Sequence, residues 1–85
     1  MSNIRIGKIT HYFNKIGVAV LMVEADSVKV GDTILVGEEG TGFTQAVESM
    51  QVEHQQVNEA KTGDEVGLKV TQPTKEGDNV YKVVA

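Results

Sequence analysis

Short runs of alternating apolar and polar residues dominate this chain, and that pattern indicates β-strands. The alternation starts at Ile4, and its phase changes across Gly7. This predicts a first strand over residues 3–13 with a bulge at the glycine. Residues 16–24 are almost continuously apolar, so we expect them to form the central strand, covered on both faces or closed into a barrel.

Four further strands follow from the same pattern. We predict them at residues 33–36, 43–54, 64–70 and 79–84. In the second of these the apolar phase changes near Glu48 and Ser49, which predicts another bulge and a bend. Three glycines lie within residues 37–42, where they disfavour a helix and predict a mobile loop.

Glycine followed by aspartate recurs just before three predicted strands, at residues 31–32, 63–64 and 77–78. Glycine readily takes a positive φ and aspartate hydrogen-bonds the backbone beside it, so each pair predicts a tight turn that enters a strand. The composition agrees, because 19 valines and isoleucines and seven threonines stand against three leucines and five alanines. We therefore predict an all-β fold, a small closed six-stranded barrel of Greek-key type.

Length and composition bound the class of protein. The 85 residues suffice for a single domain, residues 1–85, with an apolar core. Cysteine is absent, which excludes disulfides and thiolate sites, and no apolar run approaches the roughly 20 residues of a membrane helix. No secretion signal is recognisable, so we expect a cytoplasmic protein without membrane contact. The net charge of −4 divides into +2 for residues 1–30 and −6 for residues 31–85, so an anionic partner would prefer the first third.

Several segments together resemble a known family. Residues 15–20, 28–34, 47–51, 60–68 and 77–80 are similar, in sequence and in order, to the second-domain β-barrel of translational GTPases such as elongation factor Tu and initiation factor 2. A similar barrel lies at the C-terminus of U32-type collagenase-like proteins. The resemblance implies a translation-factor-like barrel. It does not extend to nucleotide hydrolysis, because the chain has no Gly-x-x-x-x-Gly-Lys-Ser/Thr phosphate loop.

The same resemblance implies an RNA-binding position. In the elongation-factor family this barrel holds the aminoacylated end of tRNA, partly through an arginine in a segment that corresponds to residues 14–16 here. Lys15 keeps the charge of that arginine without its planar fork. Gln51 stands where the family has an acidic residue beside the terminal nucleotide.

Cations and aromatic side chains are grouped in the first strand and the turn after it. Such a group offers stacking surfaces for bases and anchors for phosphates. The candidate RNA-binding residues are Arg5, Lys8, His11, Tyr12, Phe13, Lys15 and Gln51. The alternative interpretation is that Tyr12 or Phe13 packs in the core while the lysines are solvated. Only one of these adjacent aromatics can face inward on a regular strand.

Catalytic and metal-binding residues are not grouped in this sequence. His11 and His54 have no cysteine partner, no paired-histidine spacing and no carboxylate cluster beside both. Ser49 has no recognisable base or oxyanion donors. We therefore predict no metal, no cofactor and no enzymatic activity.

The leading hypothesis is a non-enzymatic binding module, related to translation, that contacts RNA, tRNA or a ribonucleoprotein and binds no nucleotide. One alternative is a protein–protein interaction module, which the net negative charge favours. Another is an accessory domain that acts in trans with a U32-like or other RNA-modifying enzyme. The oligomeric state stays open, since the last strand can either close the barrel or present an edge to a partner.

Overall fold

Ten β-strands and no helix are found in the part of the chain that the computed structural model describes, which is residues 2–38, 40–53 and 55–84. The strands are β1 (Ser2–Phe13), β2 (Val18–Val23), β3 (Ser27–Lys29), β4 (Thr33–Val36), β5 (Phe43–Ala46), β6 (Met50–Val52), β7 (Gln55–Val57), β8 (Glu59–Lys61), β9 (Glu65–Lys69) and β10 (Asn79–Val84). The all-β class predicted from the sequence is confirmed.

Eight of these strands form one antiparallel sheet, in the order β5-β4-β10-β1-β2-β9-β6-β7, and β3 pairs with β8 in a separate two-stranded sheet. The large sheet is an open half-barrel, because its end strands β5 and β7 do not pair with each other. The prediction of a closed six-stranded barrel of Greek-key type, like the second domain of translation factors, is therefore wrong.

The closed barrel is not formed because residues 43–54 are not one continuous strand. Regular strand structure stops at residues 47–49, so that β5 and β6 are separate strands. β5 pairs with β4, whereas β6 pairs with β7 and β9. The bend predicted near Glu48 and Ser49 is thus a strand break, and the two halves lie at different places in the sheet. His54, the last residue of the predicted strand, lies outside the described residues.

A single apolar core lies against the inner face of the sheet. In β2, near the middle of the sheet, Ala19, Leu21 and Val23 are fully buried in this core. The side chains between them alternate to the outer face, where they are half-buried. The other large, fully buried side chains come from six further strands and are Ile6, Ile9, Val28, Ile34, Val36, Met50, Val66, Leu68 and Val80.

The strand β1 changes partners along its length. Its first part pairs with β10 and its second part with β2. The register shifts at Gly7, as the sequence predicts, and shifts again between Ile9 and His11. A Cβ at Gly7 would collide with the carbonyl oxygen of Met22, so glycine allows the two strands to approach this closely. The two shifts bend β1 and let it follow the curvature of the half-barrel.

Three strands, β3, β7 and β8, are not predicted from the sequence. Each has only three residues, and the run over the last two, Gln-Gln-Val-Asn-Glu-Ala-Lys, contains few apolar positions. Tertiary packing stabilises β3 and β8, because Val28 and Ala60 lie opposite each other and are both fully buried. Strands this short have too little periodicity to be recognised in a sequence.

Three turns share one local structure and confirm the predicted strand-entry turns. Each has the sequence Lys-x-Gly-Asp, at residues 29–32, 61–64 and 75–78. The glycine φ is +100°, +97° and +92° in that order, and the aspartate N–H donates to the lysine carbonyl at 3.0, 3.0 and 3.1 Å. The aspartate carboxylate accepts from the lysine N–H at 2.8, 3.0 and 2.9 Å. This reciprocal pair fixes the chain reversal immediately before β4, β9 and β10.

Gln45 joins the open side of the half-barrel without a strand pair. From β5, its amide nitrogen donates to the Lys69 carbonyl at 2.8 Å. Its amide oxygen accepts from the N–H of Thr71, also at 2.8 Å. The Gly31 N–H donates to the Val47 carbonyl at 2.8 Å beside this seam. A side-chain amide therefore replaces the two hydrogen bonds that a backbone pair would supply between β5 and the chain at the end of β9.

Gly63→Ala is expected to lower the free energy of unfolding by about 1–2 kcal/mol, because an L-residue resists the positive φ of this turn. Urea unfolding measures the change. Gly67→Ala is the matched control, since a Cβ at Gly67 makes only ordinary contacts and stability should not fall. Equal losses in the two variants would contradict the role given to the turn.

Gln45→Ala is expected to lower the free energy of unfolding by about 1–2 kcal/mol, because it leaves backbone groups of Lys69 and Thr71 without their partners. The same urea unfolding experiment measures it. Gln56→Ala removes an exposed glutamine from β7 and should change stability by less than about 0.5 kcal/mol. If the two glutamine variants are equally stable, the seam bonds do not hold the sheet.

Candidate functional site

Outward-facing residues of four neighbouring strands form a shallow groove on the outside of the half-barrel. The strand registers place Phe13 of β1 opposite Val18 of β2. They also place Val20 of β2 opposite Gly67 of β9, and Gly67 opposite Gln51 of β6. The groove has a volume of about 300 Å³ and is lined by Phe13, Ile16, Val18, Val20, Gln51, Glu53, Glu65 and Gly67. We call it the Gly67 groove.

Two larger depressions are poorer candidates. One, of about 470 Å³, lies between residues 36–43 and 72–79, and Glu39 in the first of these segments is outside the described residues. The other, of about 480 Å³, lies over the seam, where Gln45 already bonds to Lys69 and Thr71. The Gln45 amide at its centre is therefore not free to bind a ligand.

Phe13 and Ile16 form the apolar wall of the Gly67 groove. These residues are 50% and 64% exposed, the highest values among the large hydrophobic residues of the described chain. Phe13 ends β1 and Ile16 lies in the turn that follows, which is closed by the N–H groups of Ile16 and Gly17 donating to the Phe13 carbonyl at 3.3 and 2.9 Å. The His11 ring stacks on Phe13 with 6.3 Å between ring centroids. Exposed apolar side chains held in place in this way are typical of an interaction surface.

Gly67 forms the floor of the groove because it places no side chain on the outer face. Its φ lies outside the positive region, and a Cβ there would meet only Val18 Cγ1 at 3.5 Å and the Gln51 carbonyl oxygen at 3.8 Å. The fold therefore does not require glycine at this position. A glycine within a strand is destabilising by roughly 0.5–1 kcal/mol relative to alanine. It is typical of a site where another group approaches the backbone closely.

Two carboxylates, those of Glu53 and Glu65, stand at the rim of the groove. Both residues are exposed, and neither carboxylate forms an ion pair with another described residue. Glu53 follows β6 with a φ of +51°, a left-handed conformation that is uncommon for a glutamate. The groove is thus apolar inside and carries two carboxylates at one end, while exposed Lys69 lies opposite Val18 beyond the other end.

The structure brings only part of the predicted RNA-binding set to the groove. Phe13 and Gln51 line it, and Lys15 lies in the turn beside Ile16. Tyr12 packs against the core while Phe13 is exposed, so the adjacent aromatics divide between inside and outside as strand alternation predicts.

The remaining predicted residues, Arg5, Lys8 and His11, lie outside the groove, and two of them are beside acids. Arg5 forms an ion pair with Glu24, with 2.8 Å between the charged atoms. His11 Nδ1 lies 3.5 Å from a carboxylate oxygen of Glu76. Lys8 is exposed on β1. RNA contact by the seven residues stays a prediction, but these neighbouring carboxylates do not favour it.

Sequence reasoning missed most of the residues that shape the groove, namely Ile16, Val18, Val20, Glu53, Glu65 and Gly67. One signal was available, because Gly67 interrupts an otherwise apolar strand between Val66 and Leu68. The two glutamates gave no signal, since charged residues at strand ends are typical of any solvated surface.

A separate polar cluster lies over β1 and β10 and centres on Glu38. Its carboxylate accepts hydrogen bonds from the Tyr81 hydroxyl at 3.2 and 3.3 Å and from the Asn79 amide at 3.1 Å. The Asn79 oxygen accepts in turn from Arg5 Nε at 3.0 Å. Partial burial, together with the Glu38 carboxylate, raises the pKa of Tyr81 above its ordinary value. The cluster anchors one end of residues 37–42, whose mobility stays a prediction.

Several other kinds of site are not seen in the described residues. No three histidine, aspartate or glutamate side chains among them form a group that could hold a metal ion. Ser49 lines the depression over the seam, and His54 is outside residues 2–38, 40–53 and 55–84. Nor does this part of the chain contain a helix long and apolar enough to cross a membrane.

Comparisons with solved structures identify the fold. The C-terminal domain of a Geobacillus thermoleovorans protein described as a U32 peptidase superposes with a TM-score of 0.83 at 22% identity, covering 96% of this chain and 93% of that domain. Its selenomethionine variant gives a TM-score of 0.79 at 23% identity, covering 93% and 98%. The chain has the fold of this C-terminal domain. No protein-family model matches the chain.

Curated proteins supply relatives at higher identity. An uncharacterised protease of Methanocaldococcus jannaschii is 40% identical over 79 residues, which is 92% of this chain. A collagenase of Porphyromonas gingivalis is 31% identical over 80 residues, which is 93% of this chain. The chain spans only 19% of the length of each of these relatives.

These similarities correct the translation-factor interpretation. The expected translation and elongation-factor role is wrong, because the relatives are a protease and a collagenase and the fold is that of a U32 peptidase C-terminal domain. The second resemblance seen in the sequence, to the C-terminal barrel of U32-type proteins, is the one that the comparisons support.

The Tyr81 hydroxyl should ionise at a higher pH than an ordinary tyrosine. Ultraviolet titration in a Tyr12→Phe background leaves Tyr81 as the only tyrosine and measures its pKa. Glu38→Gln should lower the midpoint, because it removes the adjacent negative charge. Since the folded-state pKa is raised, the stabilisation is complete at neutral pH and is lost as the pH rises through the folded value. A titration midpoint that is unchanged by Glu38→Gln would contradict the contact between Tyr81 and Glu38.

Proposed function

We propose that this chain is a non-catalytic accessory domain that works with the remaining part of a U32-like peptidase, which we call the body. The strongest support is the share of each relative's length that this chain matches. The chain covers 98% of a C-terminal domain of that kind but only 19% of the protease and the collagenase that it matches in sequence. It is therefore the size of one such domain, and the body is the part of those relatives that it does not match.

An accessory domain acts through a well-ordered binding surface and does not need catalytic residues of its own. The Lys-x-Gly-Asp turns and the Gln45 seam hold the sheet, and the outer face carries the Gly67 groove with its exposed apolar wall. Ser49 lies at the seam depression, whereas His11 lies beside Glu76. We infer that the chain contributes binding and that the body supplies any step that breaks a bond. The cytoplasmic location expected from the sequence is part of this proposal.

Domain exchange in the Porphyromonas gingivalis collagenase tests the proposal. Three proteins are compared: the intact enzyme, a deletion that lacks the segment matching this chain, and a chimera in which this chain replaces that segment. The deletion is expected to raise KM for collagen more than it lowers kcat, because it removes a binding contribution and leaves the catalytic residues intact. The chimera is expected to recover most of the lost kcat/KM.

A chimera that carries an unrelated small β-domain of the same length is the control, and it should behave like the deletion. The proposal fails if the chimera with this chain performs no better than that control. It also fails if the isolated chain hydrolyses the substrate by itself.

A further inference from the structure

The Gly67 groove combines two features that the fold itself does not require. Phe13 and Ile16 are the most exposed large apolar side chains of the described residues, and both lie in its wall. Its floor is a strand glycine at a position whose backbone accommodates a Cβ. Exposed apolar surface lowers solubility, and a strand glycine lowers stability. Contact with a partner that enters the groove explains both features.

The charge at the rim restricts the chemistry of that partner. The carboxylates of Glu53 and Glu65 have no cationic partner among the described residues. They repel a phosphate backbone or an anionic membrane surface and attract a lysine or arginine side chain. The volume of about 300 Å³ is at the small end of ligand sites, which suits one or two side chains of an extended segment.

We propose that the Gly67 groove docks an extended segment of the peptidase body that presents one aliphatic side chain and, two residues from it, one basic side chain. The inference rests on the proposed function, because it names the body as the source of this segment. The aliphatic side chain lies over Gly67 and against Phe13 and Ile16, where it is removed from water. Residues two apart in an extended segment face the same side, so the basic side chain reaches the end of the groove where Glu53 and Glu65 lie together. This attraction fixes the direction of the segment.

Two capped tripeptides, Lys-Ser-Leu and Glu-Ser-Leu, probe the groove by mapping amide chemical shifts on the full chain. Lys-Ser-Leu is expected to shift the signals of groove residues such as Val20, Gln51 and Gly67. Glu-Ser-Leu has the same aliphatic anchor and the opposite charge. It is expected to bind about fivefold or more weakly, because attraction to the two carboxylates becomes repulsion.

Variants of the groove locate the binding. Ile16→Ser should weaken binding of Lys-Ser-Leu about fivefold, because it removes most of one apolar wall. Ile4→Ser is the matched control, since it removes an exposed isoleucine outside the groove and should change nothing. Gly67→Leu should abolish binding, because its side chain fills the floor of the groove. If leucine impairs folding, Gly67→Ala serves instead and should weaken binding to a smaller extent. Glu53→Gln combined with Glu65→Gln should remove the preference for the basic peptide.

Several outcomes would overturn the inference. These are shifts that map outside the groove, equal binding of the two peptides, and undiminished binding by the chain with leucine or alanine at Gly67. Groove shifts that depend on protein concentration without peptide would assign the groove to a second copy of this chain. Tighter binding of an oligonucleotide at the same residues would assign it to nucleic acid.

The collagenase chimera distinguishes this inference from the proposed function. If the chimera is active and its Ile16→Ser version is equally active, the proposed function holds and the docking surface lies elsewhere. If the basic peptide binds as expected but the chimera is no better than its control, the groove binds such a segment but the segment does not come from the body.

Discussion

Strand alternation in β2 is the constraint on which the rest of the structure depends. Ala19, Leu21 and Val23 must face inward, because they fill the core between the strands on either side. Alternation then fixes the residues between them on the outer face, and these are apolar as well. A strand that is apolar on both faces needs cover on both. The half-barrel covers one face, and the wall of the Gly67 groove covers the other only in part.

The strand break at residues 47–49 connects the fold to the candidate site. β5 already pairs with the whole of β4, so a regular continuation to residue 54 would have extended past the end of β4 at Thr33. The break allows β6 to pair with β9 instead, and this pairing brings Gln51 and Glu53 to the edge of Gly67. The same break leaves the sheet open, and the Gln45 amide then joins the two sides of the seam. The strand break that makes the closed-barrel prediction wrong therefore also forms the groove.

Elements with strong local patterns could be predicted from the sequence. β1, β2, β4, β9 and β10 were placed to within about two residues, because apolar alternation and Gly-Asp turns define them locally. The partner exchange at residues 47–49 depends on contacts between distant parts of the chain, so no local pattern reveals it. The three-residue strands β3, β7 and β8 were missed for the same reason.

Less of the candidate site could be predicted. Phe13 and Gln51 were singled out for RNA binding, and they line the groove because strand geometry places them there. Gly67, Glu53 and Glu65 reach it through the pairing of β9 with β2 and β6, which the sequence does not display. The sequence resembles translation factors because related barrels occur in proteins with different activities, and a fold by itself does not specify one activity.

The most direct test of this account compares the two faces of β2 in one experiment. Methyl NMR signals of Val18 and Val20 report on the outer face, and those of Leu21 and Val23 report on the core. They are recorded for this chain with and without the collagenase that lacks its matching segment. The account predicts that the outer methyl signals shift on binding while the inner ones stay in place. Association of the two proteins with unchanged outer methyl signals, or no association at all, would contradict it.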